Sequence, residues 1–429
     1  MVYRQIKGAD YSIRKQPTSA TAAFVAHLWE PWGINLSVGV LSAFLMRGWL
    51  GPQLPSTPRQ EGLTELHFIL TLLGDLRQGR LLAQWYPLEF SGSPWMMITS
   101  WPFYLTLALI AHLGHLAPTD IMKAVQFISL FGSGLAMYLY VRTLLGERLP
   151  AAVAAVVYLW VPCHAHLAAE PWIHAPVWAL LPLILYAVER MLATTGRRRW
   201  AWAVGVGALA AALAVITSEF AILGAACLVA YLLVREAMAI RAGRSTLMQS
   251  ALRLLLIALV AGGLAAFYVL PVAAAVSQVG IHAKHGAGST FSAEVLKGYV
   301  VTPGLLLAGI AKRTHLPIPT GPLPRMANAF FSVTWYPGLV APALGVLGLA
   351  ALRRQELARV ALGLLALATL QALAGLIPGN PFAWLPVIKN LFPFRSALLV
   401  VLFASVLAGY GAQIVLSRLL HVGLVAGYD

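Results

Sequence analysis

Charge and cysteine are what this chain has least of. Fifteen Asp plus Glu and thirty Lys plus Arg in 429 residues make 10% charged, where soluble domains carry roughly 25%. That deficit excludes an ordinary water-soluble globule, and 59% hydrophobic residues exclude a disordered chain. The two cysteines, Cys163 and Cys227, lie in different segments and form no CxxC or zinc spacing. Neither a disulfide framework nor a thiolate metal centre is therefore expected. No repeat of fixed period is visible, which excludes a solenoid, and no two similar halves suggest an inverted-repeat transporter. The stretch Met1 to Pro17 is polar and basic, with no short apolar core and small-residue cleavage site after it. The first span is thus expected to stay in the mature protein.

What is present is a succession of apolar runs, near the 20 residues that a bilayer crossing needs. Spans can be drawn at 24–50, 121–141, 150–162, 176–193, 200–217, 219–234, 251–276, 334–352, 357–377 and 396–417. The expected fold class is all-α: a polytopic transmembrane bundle of about ten spans. It forms a single integral membrane domain over residues 1–429. The pair 200–217 and 219–234 is one long apolar run broken by Thr217-Ser218-Glu219, read as two spans joined by a tight turn.

Between the runs stand short basic clusters: Arg142 and Arg148, Arg197 to Arg199, Arg235, Arg241 and Arg244, Arg353 and Arg354, and Arg418. Basic residues gather in cytoplasmic loops, so a net charge of +15 distributed in this way argues for membrane orientation and against nucleic-acid binding. With residues 1–23 cytoplasmic, nearly every cluster falls inside, provided that 102–115 dips into the membrane or lies along it. If 102–115 crosses, Arg197 to Arg199 and Arg353-Arg354 land outside. Ten spans with both ends cytoplasmic are therefore expected. The extracytoplasmic loops are then 51–120, 163–175 and the long 277–333, and the setting is a prokaryotic inner membrane.

Under this topology the scarce acids and histidines collect outside. Loop 51–120 holds Glu61, Glu65, His67, Asp75 and Glu89; loop 163–175 holds Glu170 and His174; Glu219 sits at the 217–219 break, and Arg395 precedes the last span. Carboxylates and imidazoles over a helical bundle suit chemistry on a lipid-linked substrate at the membrane surface. Moving a sugar from a lipid phosphate to an acceptor hydroxyl needs a carboxylate base. It also needs positive charge for the departing phosphate, from Arg, Lys or a divalent ion. Mg or Mn takes carboxylate and imidazole ligands. Glu61 and Glu65 are the candidate catalytic residues and, with His67, the candidate ion ligands. His67, Glu89, Glu170, His174, Glu219 and Arg395 are candidate substrate contacts. The plainer alternatives are solvated acids on α-helical surface for Glu61 and Glu65, turn capping for Glu219 and membrane anchoring for Arg395.

Three stretches carry a resemblance. They are EGLTELHFILTLLGDLRQGRLLAQWYPLEFSGSPW (Glu61 to Trp95), HAHLAAEPWIHAPVWALLPLILYAVER (His164 to Arg190) and LFPFRSALLVVLFASVLAGYGAQIVL (Leu391 to Leu416). Together they resemble the GT-C superfamily of polytopic glycosyltransferases, particularly the bacterial YfhO-like membrane proteins. That family usually has Asp where Glu61 or Glu65 stands here. The resemblance implies a polyprenyl-phosphate-linked sugar donor, a cell-envelope acceptor, transfer on the extracytoplasmic face and membrane lipids as partners. The competing expectations are an inactive GT-C-like subunit of a larger membrane complex, and a lipid flippase or transporter.

Overall fold

The computed structural model describes residues 20–47, 61–81, 85–86, 93–94, 100–160, 175–216, 218–279, 340–353, 355–372 and 397–421. Statements of structure are confined to these. Candidates Glu89, Glu170, His174 and Arg395 lie outside them, as does the body of the 277–333 loop.

The architecture is a polytopic helical bundle. Its helices are α1 (Ala20–Leu45), α2 (Glu61–Arg77), α3 (Trp101–Gly114), α4 (Pro118–Leu145), α5 (Arg148–Trp160), α6 (Pro176–Ala193), α7 (Gly196–Ile216), α8 (Ser218–Arg241), α9 (Leu247–Val279), α10 (Val340–Leu349), α11 (Glu356–Ala372) and α12 (Ala397–His421). A short 3₁₀ turn, Ala350–Arg353, follows α10. Between α2 and α3, Trp85–Tyr86 (β1) and Ser93–Pro94 (β2) pair antiparallel, with Trp85 opposite Pro94. Among the described residues, six helices are long and apolar enough to cross a membrane: α4, α6, α7, α8, α9 and α12. They match six of the drawn spans, and α1, α5, α10 and α11 occupy the other four.

Local signals explain the boundaries. Pro118 opens α4 with Asp120 in its first turn, and Gly146, at φ 72°, receives the chain at its end. Proline at the start costs no hydrogen bond, an early acid suits the helix dipole, and glycine takes the left-handed exit without strain. The run broken at Thr217 becomes two helices, α7 ending at Ile216 and α8 starting at Ser218. They fold back on each other: a Cβ on Gly224 of α8 would meet Leu213 of α7 and Leu181 of α6.

The main core lies among α4, α5, α6, α7, α8, α11 and α12, with Met137, Tyr158, Val188, Val206 and Phe403 at its centre. Small residues set the closest crossings, as is usual where lipid removes the hydrophobic drive between helices. A Cβ on Gly207 of α7 would stand 2.8 Å from Val260 of α9.

Side-chain bonds tie the turns of one end together. Arg199 reaches the carbonyl of Arg244 at 3.4 Å, linking the α6–α7 and α8–α9 turns. Gln413 of α12 donates to Glu147 in the α4–α5 turn at 2.7 Å. Gln355, beside the α10–α11 turn, donates to Gln413 at 3.5 Å. The basic clusters therefore share one end of the bundle, which is what their spacing in the sequence requires.

The opposite end carries a second core. Phe68, Ile69, Leu72 and Leu73 of α2 pack with Tyr104, Leu107, Ala108 and Ala111 of α3 and with Ile121 and Met122 of α4. A Cβ on Gly132 of α4 would lie 3.3 Å from Ala179 of α6, so Gly132 and Ala179 are level. Gly132 is fourteen residues into α4 and Ala179 three into α6. The start of α4 consequently overhangs that of α6 by about 16 Å, at 1.5 Å per residue. Helix α3 lies against this overhang: its last residue, Gly114, is joined to Pro118 by three residues. Its first turn sits at the bundle end, and it does not approach the basic turns.

Candidate active site

Of the sequence-predicted residues, Glu61, Glu65 and His67 stand on α2 and Glu219 on α8. On α2 the buried positions Glu65, Phe68, Ile69, Leu72 and Leu73 follow the three-and-four spacing of one helical face. Glu65 is thus the polar head of an apolar stripe and is 7% exposed. Glu61 begins the same helix one turn earlier, and residues four apart share a face. His67 is half-buried and stands two positions on from Glu65, about 200° around the helix. The helix therefore turns His67 away from Glu65. Among the described residues, no group of three or more His, Cys, Asp or Glu could hold a metal ion.

Asp75 has a structural task. Its carboxylate pairs with Arg80 at 2.9 Å, and its carbonyl accepts the N–H groups of Gln78 and Arg80 at 3.0 and 2.9 Å. It closes the end of α2. Phe68 then couples α2 to α3 through a ring contact with Tyr104, centroids 5.0 Å apart.

The start of α3 is fastened to the bundle by Ser100. This residue is fully buried and left-handed, at φ 69°. Its N–H donates to the Tyr268 hydroxyl of α9 at 3.0 Å. Its hydroxyl donates to the carbonyl of Ile216, the last residue of α7. Its own carbonyl accepts from Phe103 and Tyr104, opening α3. Trp101 adds an edge contact with Phe267, 6.4 Å between centroids. Three residues beyond Ile216 comes Glu219, in the first turn of α8, where a helix dipole favours a carboxylate. The end of the acidic loop and the Glu219 turn are thereby brought together.

The Tyr158 hydroxyl of α5 donates to the Trp178 carbonyl of α6 at 3.0 Å, so the last turn of α5 and the first of α6 are neighbours. Arg395 lies two residues before α12.

Sequence reasoning missed the buried charges of the basic end. Arg235 of α8 grips Glu189 of α6 with both Nε, at 2.6 Å, and a terminal nitrogen, at 2.5 Å. Tyr231 donates to the same carboxylate at 2.6 Å, and Tyr140 of α4 donates to Tyr231 at 3.0 Å. One residue on, Glu236 accepts from Arg253 of α9 at 2.8 Å and from Ser250 at 2.8 Å. The available signal was a charge inside the run 176–193 (Glu189) and another inside 251–276 (Arg253), with the opposite charges Arg235 and Glu236 side by side at the end of the run between them. Such groups are costly in a bilayer and must find partners.

No protein-family model and no curated protein matches this chain. Among solved structures, the crystal structure of the Archaeoglobus fulgidus oligosaccharyltransferase in the apo form is similar, at a TM-score of 0.52 and 12% sequence identity. The match covers 92% of this chain and 52% of the archaeal one. The likeness is one of fold, and it agrees with a GT-C-like helical membrane bundle. This chain spans about half the length of that enzyme.

Proposed function

We propose that this chain is an integral membrane glycosyltransferase of GT-C type. It moves a sugar from a polyprenyl-phosphate-linked donor to a cell-envelope acceptor on the extracytoplasmic face of a prokaryotic inner membrane, with both termini in the cytoplasm. The observation carrying this reading is the segregation of groups within a fold shared with an oligosaccharyltransferase. Basic turns lie at one end; the buried Glu65 and the Glu219 turn lie at the other, joined through Ser100.

In this reading Glu61 or Glu65 takes the proton of the acceptor hydroxyl. A hard divalent ion, Mg or Mn, fits the two carboxylates one turn apart on α2 and would neutralise the donor phosphate. His67, on another face of that helix, does not fit the same ion and is left to contact substrate. Arg395 pairs with the departing phosphate, Glu170, His174 and Glu219 line the approach, and Glu89 orients the acceptor. The lipid tail of the donor lies against the bundle among the membrane lipids. The YfhO-like subgroup is the assignment within GT-C that the three sequence stretches favour.

The test is transfer in proteoliposomes supplied with a polyprenyl-phosphate sugar bearing a radiolabel. Glu65→Gln and Glu61→Gln are each expected to lower transfer, one of them by about 100-fold or more. Full activity in both variants removes this mechanism.

A second reading is an inactive GT-C-like subunit of a larger complex. One observation favours it: Ile110, Leu113 and Leu116 are exposed where α3 turns into α4, Leu113 at 76%. Stoichiometric partners copurifying through that turn, with no transfer by the isolated chain, would decide for it.

A further inference from the structure

We infer that Ser100 is a positioning residue, holding the acidic helix α2 at a fixed distance from the Glu219 turn of α8; the inference rests on the transfer reaction proposed above. The local geometry asks for glycine, since a left-handed φ costs any residue with a Cβ. Serine stands there at φ 69°, so the side chain must return something glycine could not. What it returns is the bond from its hydroxyl to the Ile216 carbonyl. That carbonyl belongs to the last residue of α7. The Tyr268 hydroxyl takes the Ser100 N–H at 3.0 Å, and the Ser100 carbonyl starts α3. Every polar atom of one buried residue is therefore committed, and the commitments go to three different helices.

Mechanical continuity runs outward from this point in both directions. On one side α3 grips α2 through Tyr104 and Phe68, and Glu65 lies on the same buried stripe of α2. On the other side Ile216 is three residues from Glu219. Helix α3 runs from the second core to the end of α7, where it is fixed by Ser100 and by the Trp101–Phe267 ring contact; α4 gives the second core a further link, through α6. Buried groups with unusual backbone angles persist only where their surroundings over-determine them. Here the surroundings are three helices whose relative placement the reaction would need.

Two variants isolate the tether. Ser100→Gly keeps the backbone angle accessible and removes the hydroxyl. Tyr268→Phe keeps Ser100 and removes the acceptor of its N–H. The full chain, in proteoliposomes with a labelled polyprenyl-phosphate sugar, is read for kcat and KM. Spin labels at Leu113→Cys and Val204→Cys, with Cys163 and Cys227 replaced by Ser, report the spread of distances between α3 and α7. Each variant is expected to lose about 10- to 100-fold in kcat, the scale of a displacement near 1 Å, with KM changed less than about 3-fold. The distance distribution is expected to broaden in both. Wild-type kcat in Ser100→Gly, or an unbroadened distribution, overturns the positioning role while leaving the transfer reaction standing. A wild-type chain that transfers no sugar overturns the reaction itself and, with it, this role.

Discussion

Gly411 of α12 and Leu344 of α10 meet at backbone distance: a Cβ on Gly411 would occupy the place of the Leu344 carbonyl. The contact is reciprocal, for a Cβ on Gly348 of α10 would collide with the Leu407 carbonyl of α12. Close crossings of this kind supply much of the packing energy between helices in lipid. Gly411→Leu is expected to force α10 off α12 and cost more than the roughly 1–3 kcal/mol of ordinary overpacking. Size-exclusion chromatography in detergent checks it; a wild-type monodisperse peak and an unchanged melting temperature would contradict the crossing.

The Glu189–Arg235 pair makes a different prediction. Both side chains are 6% exposed, and breaking such a pair strands a buried charge. Glu189→Gln and Arg235→Leu should each destabilise by about 3–5 kcal/mol. Replacing both by Leu should recover most of that loss, because two apolar residues leave no charge behind. Thermal unfolding of the three variants in detergent gives the comparison, and a double variant as unstable as the worse single one would refute it.

Sidedness can be read by labelling. In a chain with Cys163 and Cys227 replaced by Ser, a membrane-impermeant maleimide should modify Leu113→Cys in intact cells. Arg198→Cys should react only after permeabilisation. Labelling of both in intact cells, or of neither until permeabilisation, would place the acidic and basic ends in one compartment.

The separate core of α2 and α3 predicts local failure. Leu72 is fully buried there, and Leu72→Ala should cost about 2–5 kcal/mol. Because the cluster is distinct from the main core, limited proteolysis should cut between α2 and α3 while α6 to α12 stays protected. Uniform cleavage along the chain would show that the two cores unfold together.

Much of the fold was legible because hydrophobic run length and charge spacing are properties of the chain itself. The span drawn at 176–193 coincides with α6, and the polar break at Thr217 to Glu219 separates α7 from α8. Keeping 102–115 away from the basic side followed from counting arginines, and α3 indeed stays at the other end. The pairing of acids with bases was not legible in this way. Glu189 finds Arg235 forty-six residues later, through the rotation of two helices about their axes, which hydropathy does not encode. Ser100 escaped notice for a related reason: the sign of its φ and the helices that meet it are tertiary facts. Of the candidate site, Glu65 was read as an acid on a helix, and its burial comes from sharing a face with Phe68 and Ile69.

Arg235 and Glu236 are neighbours in α8, yet one is neutralised by α6 and the other by α9. Parted from both neighbours, α8 would carry two opposite charges without counter-ions, which is costly in a bilayer. Its seat is therefore pinned from two flanks at once, by α6 and by α9.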